Sequence, residues 1–188
     1  MKRYLALGVV AVAMLVVPSV ASAANAHLRN NVRPNPAFTD LGLTLRATAA
    51  YAGLGNFDTL QTLDATGNPT AVCTNPSGQQ QPPGQNPAEA NVSGSTAVPA
   101  SDVQNGNVTI TTTTNPPTSP IPGAPDCPGV KWTESITDMA FTSATIRVFQ
   151  DTDANGSFET LVLTVSCTFN SPTSNGPVPA SNYTCTSS

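Results

Sequence analysis

Between residues 160 and 169 apolar and hydroxyl side chains change places at every second position. Leu161, Leu163, Val165, Cys167 and Phe169 alternate with Thr160, Thr164, Ser166 and Thr168. A period of two puts one set on a buried face and the other in water, as in a half-buried β-strand. The same rhythm recurs elsewhere, broken each time by Pro, Gly and Asn clusters. Leu43–Tyr51 turns its odd positions inward. A stretch from Phe57 to Leu63 continues past Gly67-Asn68-Pro69 to Cys73. Ala90–Val98 and Asn107–Thr113 follow, the latter with Val108 and Ile110 inward. Trp132–Ile136 leads on through Phe141 to Phe149, and the apolar parity changes between Phe141 and Ile146, which predicts a bulge or bend there. A short last strand holds Tyr183 and Cys185.

No apolar stripe of period 3.6 appears after residue 23. Only 10% of the 188 residues are charged, and 18 Pro with 13 Gly punctuate the rest. Helix bundles and coiled coils need far more Glu, Lys and Arg than this. The expected fold class is therefore all-β, an antiparallel β-sandwich of seven to eight strands, immunoglobulin-like in general shape. A small β-barrel is the runner-up.

Residues 1–23 read as a signal peptide. Lys2 and Arg3 precede the apolar run Leu5–Val17, and Ala21-Ser22-Ala23 ends it as an A-x-A cleavage site. Ala24-Asn25-Ala26 is a rival site. The run is shorter than the roughly 20 residues of a membrane span. Residues 24–40 are expected to be a loose N-terminal segment, and 41–188 a single sandwich domain. The expected location is secreted and extracellular, or periplasmic, with no membrane anchor. Removing Lys2 and Arg3 leaves five of the seven basic residues against 11 acidic ones, a charge of about −6. This speaks against nucleic-acid partners.

Four cysteines, Cys73, Cys127, Cys167 and Cys185, suit two disulfides in an exported chain. Of three pairings, Cys73–Cys127 and Cys167–Cys185 are expected. The second pair would lock a terminal hairpin around the turn-rich segment 171–182. A zinc site lacks any C-x-x-C and any second histidine. Trp132, close after Cys127, reads as a plug beside a disulfide rather than a ligand platform.

His27 is the single histidine, and it lies in the N-terminal segment, which leaves no Ser-His-Asp or Cys-His pair to build. Paired acids drawn from Asp40, Asp58, Glu134 or Asp138 would be needed for glycoside hydrolysis, and their spacing selects no pair. The loop Asp151-Thr-Asp153-Ala-Asn155-Gly156-Ser157-Phe-Glu159 has oxygen-bearing side chains at positions 1, 3, 5 and 9 and glycine at 6. Asp151, Asp153, Asn155, the Ser157 carbonyl and Glu159 are thus candidate calcium ligands. The competing account is a hairpin whose Asn155-Gly156 makes a tight turn. No other cofactor is expected.

Taken together, Ala52-Gly-Leu-Gly-Asn56, Cys73-Thr-Asn-Pro-Ser-Gly78 with Pro82-Pro-Gly-Gln-Asn-Pro-Ala-Glu89, Trp132-Thr-x-x-Ile136-Thr-Asp138 and Phe141-Thr-Ser-Ala-Thr145 resemble a family of small exported bacterial proteins of uncharacterised function. The resemblance spans about 43–145 and implies an exported bacterial β domain, with no catalytic residue attached. The expected role is structural, adhesive or binding, without catalysis, toward an extracellular partner or by self-association. The alternative is a carboxylate-dependent hydrolase of extracellular carbohydrate.

Overall fold

The computed structural model describes residues 25–85 and 87–188, so the signal-peptide expectation for 1–23 lies outside the described residues. The strands are β1 (His27–Leu28), β2 (Ala37–Asp40), β3 (Leu45–Ala52), β4 (Asp58–Thr74), β5 (Gln80–Gln81), β6 (Ala90–Val98), β7 (Val108–Thr113), β8 (Ile121–Pro122), β9 (Thr133–Asp151), β10 (Thr160–Phe169), β11 (Gly176–Pro177) and β12 (Tyr183–Ser187). Eight are longer strands and four span two residues each. Among the described residues no helix is long and apolar enough to cross a membrane.

The strands form two antiparallel sheets, so the fold is a sandwich and not the closed barrel held as runner-up. In the first sheet β3 is central. β7 pairs along one side of it, and β2 followed by β1 pairs along the other, with β11 outside β2. In the second the order is β12-β10-β9-β4-β6. β4 and β9 run on together beyond this set, where β5 and β8 flank them.

Alternation explains the core. Leu45, Ala47, Ala49 and Tyr51 of β3 are fully buried, as the odd-position pattern requires. They share one apolar cluster with Leu63, Phe141, Ile146, Val148, Val165 and Phe169 from the opposing sheet. Polar side chains in this core are met by partners at most of their atoms, although Gln150 Oε1 has none. Gln61 accepts a hydrogen bond from the Tyr51 hydroxyl and donates one to Thr112 Oγ1 at 2.8 Å. Burial raises the Tyr51 pKa above its ordinary value, so the phenol stays protonated and keeps donating.

The expected parity change in β9 falls at Thr142, where the ladder to β4 steps from Ser143 to Phe141. A second step, from Asp138 to Ile136, skips Thr137 and was not anticipated. β10 carries an irregularity as well, between Leu161 and Leu163. It turns Leu161 outward, 50% exposed, against the inward position expected for it. The run Leu161-Val-Leu163 is apolar throughout, so the skip of Val162 leaves no trace in the pattern.

Of the segment 24–40 expected to be loose, the described residues 25–40 are tied to the first sheet. Asn35 bonds the main chain of Ala50 in both directions, at 2.8 and 3.0 Å. β2 pairs with β3 and buries Phe38 to 2% exposure. Phe38 then meets Phe169 and Tyr183 edge-to-face, with ring centroids 5.3 and 5.1 Å away. Four residues containing a buried Asp were too short and too polar to announce a strand.

Candidate functional site

Both disulfides form as expected, Cys73–Cys127 with Cα atoms 5.7 Å apart and Cys167–Cys185 with 4.1 Å. Cys167 and Cys185 stand directly opposite in the β10–β12 ladder, which brings their Cα atoms close enough for a bridge. Cys73 and Cys127 form a small second cluster with Ala124, and Trp132 packs against it as the expected plug. The motif segments 73–89 and 132–138 therefore meet at one end of the β4–β9 ladder.

The loop after β9 is held by its first residue. Asp151 accepts hydrogen bonds from the amides of Asn155 at 3.1 Å and Gly156 at 2.7 Å. Asn155 Oδ1 accepts from the Ser157 amide at 2.7 Å, and Asn155 Nδ2 donates to Asp153 at 2.9 Å. Ala154 and Gly156 take left-handed φ angles of 57° and 84°, which fold the chain back toward Asp151. Burial pulls the Asp151 pKa upward, but the Gly156 and Asn155 amides outweigh it and hold the carboxyl below 3.8. Among the described residues Asp151, Asp153 and Glu159 do not gather into a group of three that could hold a metal ion. Glu159 is exposed. The chain bends around Asp151 and not through a two-residue Asn155-Gly156 turn, since Ala154 and not Asn155 takes a positive φ and the β9–β10 pairing resumes only at Gln150 and Thr160.

A mutation separates this bend from the calcium account. Asp151→Ala is expected to lower the melting temperature in calcium-free buffer, and millimolar calcium is expected to leave the parent protein unmoved. A calcium-dependent rise in the parent, abolished by Asp153→Ala, would restore the metal site. Because the folded pKa is depressed, the stabilisation by Asp151 is present above 3.8 and is lost as pH falls through the lower folded value.

Asp58 and Glu134 lie at opposite ends of the β4–β9 ladder. Asp58 accepts from the Ala100 amide at 2.7 Å, and Glu134 is 3% exposed near the Cys73–Cys127 end, with Oε1 lacking a hydrogen-bond partner. Asp40 and Asp138 lie near enough for their charges to interact. Asp40 is 2% exposed and accepts from the Thr173 hydroxyl and the Gly42 amide. Thr173 Oγ1 in turn receives the Phe141 amide at 2.9 Å, beside the Thr142 bulge. Asp40 therefore ties the first sheet to the segment that serves the bulge.

Desolvation pushes the Asp40 pKa up, against the Thr173 and Gly42 hydrogen bonds, and Asp138 adds to the rise. A raised carboxylate takes its proton in the folded state first, so stability gains as pH falls from the folded value toward 3.8. Thermal melts should accordingly show the parent gaining on Asp40→Asn across that window. The opposite trend would mean that the charged form stabilises the fold.

A concavity lies beside the β1–β2 connection. It encloses about 650 Å³ between residues 27–35 and the edge strand β12, with Leu28, Val32, Tyr183 and Cys185 among its walls and Arg29 and Arg33 at its rim. His27 lies there too, exposed, bonded to the Asn25 carbonyl at 2.6 Å. Nothing in the sequence marked this groove, because it forms only when two sheet edges from opposite ends of the chain come together. No family model, curated protein or solved structure matches the chain.

Proposed function

We propose that the protein is exported and acts outside the cytoplasm as a non-catalytic β-sandwich with a structural, adhesive or binding role. Its partner is extracellular, or a second copy of itself. The observation that carries this reading is the pair of disulfides at separate places in one sandwich. Such bridges persist in oxidising compartments and are reduced in the cytosol. The resemblance to small exported bacterial proteins points the same way.

The use made of the acids supports a role without catalysis. Asp40, Asp58 and Asp151 each spend carboxylate oxygens on main-chain amides, which fixes turns and connections. A general acid in a glycosidase must instead reach a glycosidic oxygen from an open cleft. Asp40, whose pKa burial raises, is nearly sealed from solvent.

Material purified from culture supernatant tests both halves. N-terminal sequencing should give Ala24, or else His27, as the first residue. Incubation with a panel of soluble and insoluble glycans should release no reducing ends. A membrane-bound, uncleaved protein would overturn export. Hydrolysis lost in both Asp40→Asn and Asp138→Asn would overturn the non-catalytic reading in favour of the hydrolase.

A further inference from the structure

Among the described residues β12 pairs with β10 alone, and no strand lies along its outer edge. Thr164 and Ser188 exchange both main-chain hydrogen bonds, at 2.9 and 3.0 Å, and the Asn170 amide reaches the Asn182 carbonyl at 2.7 Å. In an antiparallel ladder, bonded and non-bonded pairs alternate. Asn182, Thr184, Thr186 and Ser188 therefore face β10 with their main-chain groups. Tyr183, Cys185 and Ser187 turn their N–H and C=O groups the other way, and these three residues line the 650 Å³ groove. The volume falls within the range of about 300 to 1,000 Å³ typical of ligand sites.

Edge strands are commonly blunted by a charge, a proline or a bulge. Tyr183-Thr-Cys-Thr-Ser187 has neither charge nor proline, and its register to β10 is continuous. The rim opposite is basic. Arg29 and Arg33 line the groove and no carboxylate side chain does, although the chain carries a net charge of −4. Among the described residues the ion pair present, Arg147–Asp64, lies elsewhere and engages neither arginine.

We propose that this groove binds an extended acidic peptide, which adds to β12 as an antiparallel or parallel strand and pairs its carboxylates with Arg29 and Arg33. The proposal deepens the binding reading above and rests on it. Outward N–H and C=O groups at every second residue match the main chain of another strand, which is the recognition mode of β-augmentation. An anionic glycan would answer the arginines but not that ladder. A second β12 would answer the ladder but brings no carboxylate side chain to the arginines. Leu28 and Val32 in the wall suit small apolar side chains on the inward face of the added strand.

The probe is a synthetic peptide alternating valine and glutamate, offered to the disulfide-intact secreted protein. Fluorescence anisotropy reads binding, and amide exchange reads where it occurs. The peptide should bind more weakly as salt rises, and should slow exchange at Tyr183, Cys185 and Ser187. Arg33→Glu, an exposed change, should weaken binding about tenfold or more. Ser187→Pro removes an outward amide while leaving the β10 bonds in place, and should weaken it too. The lysine counterpart of the peptide, and one N-methylated at alternate residues, should not bind.

Four results would overturn the proposal: no binding of the glutamate peptide, equal binding of either control, binding without protection at the three amides, or self-association that protects them in its absence. Polygalacturonate binding without amide protection would assign the rim to glycans instead. If the peptide fails while the glycan assay still shows no hydrolysis and export is confirmed, the groove proposal falls alone.

Discussion

Replacing Cys73 and Cys127 together by alanine is expected to destabilise the protein by about 4 kcal/mol in the chain-entropy estimate for a loop of this length. The bridge spans 54 residues, against 18 for Cys167–Cys185, so it restricts the unfolded chain more. Its local role is larger still. Cys127 sits in the long connection between β7 and β9, which pairs with the ladder through the two β8 residues and otherwise reaches β9 through Ser119 Oγ, the acceptor of the Ile136 amide at 3.0 Å. The cluster it closes holds three buried residues and Trp132. Glu134 adds a standing cost there, since a buried polar atom without a partner forfeits on the order of 1–3 kcal/mol. Without the bridge, this end of the ladder should open before the rest of the sandwich.

Trypsin, which cuts after Lys and Arg, gives the direct readout: Lys131 lies in that connection, Arg46 and Arg147 lie inside strands and Arg33 precedes proline, so among the described residues Arg29 is the competing site. Native digestion of the double variant should cut first at Lys131, while the Cys167–Cys185 variant should not show that preference. A chemical melt should shift by the full amount only if the two regions unfold together. Unchanged stability and unchanged cleavage at Lys131 would show that the bridge holds nothing the ladder does not hold already.

Much of this fold could be read from periodicity, because most long strands bury one face and wet the other. β3 and β6 end within two residues of their expected limits, and the cysteine pairing follows from a terminal hairpin whose strands place Cys167 opposite Cys185. What escaped has a common cause. Gln61 and Gln150 are polar residues at inward positions, tolerated because Tyr51, Thr112 and the Leu54 carbonyl meet them. Tyr51 and Thr112 come from other strands and Leu54 from the connection after β3, while Gln150 Oε1 has no partner. Val162 and Thr137 are skipped in the ladders without any glycine or proline to signal it. The groove at β12 has no local signature at all. Its only trace in the sequence is two arginines close together in an acidic chain.

Gly94 shows how a single missing side chain can decide whether two sheets close. It lies in β6 opposite Leu63, and a Cβ there would stand 2.1 Å from the Thr113 carbonyl oxygen and 2.9 Å from Thr114 Cα. Both obstacles are main chain, so no rotamer change relieves them. This contact joins the sheets along one seam. Asn115 donates from its amide at 2.8 Å and from Nδ2 at 3.1 Å to the Ser93 carbonyl, and Thr96 Oγ1 donates to the Thr111 carbonyl at 3.0 Å. β7, on the far side of that seam, supplies Thr112 to the Gln61 amide. Gly94→Val should therefore force β7 outward, strip Gln61 of a partner and open Ile110 to water. A cost of about 3 kcal/mol is expected, the upper part of the usual range for overpacking. That corresponds to a melting shift of roughly 10 °C for a domain of this size. Gly78→Val is the control: its φ is 79° and nothing lies within 4 Å, so it feels backbone strain without a clash. The discriminating signal is amide exchange, which should quicken at Ile110 and Thr112 in the Gly94 variant alone. If both variants melt alike and neither exposes β7, the seam is not where the sheets are held.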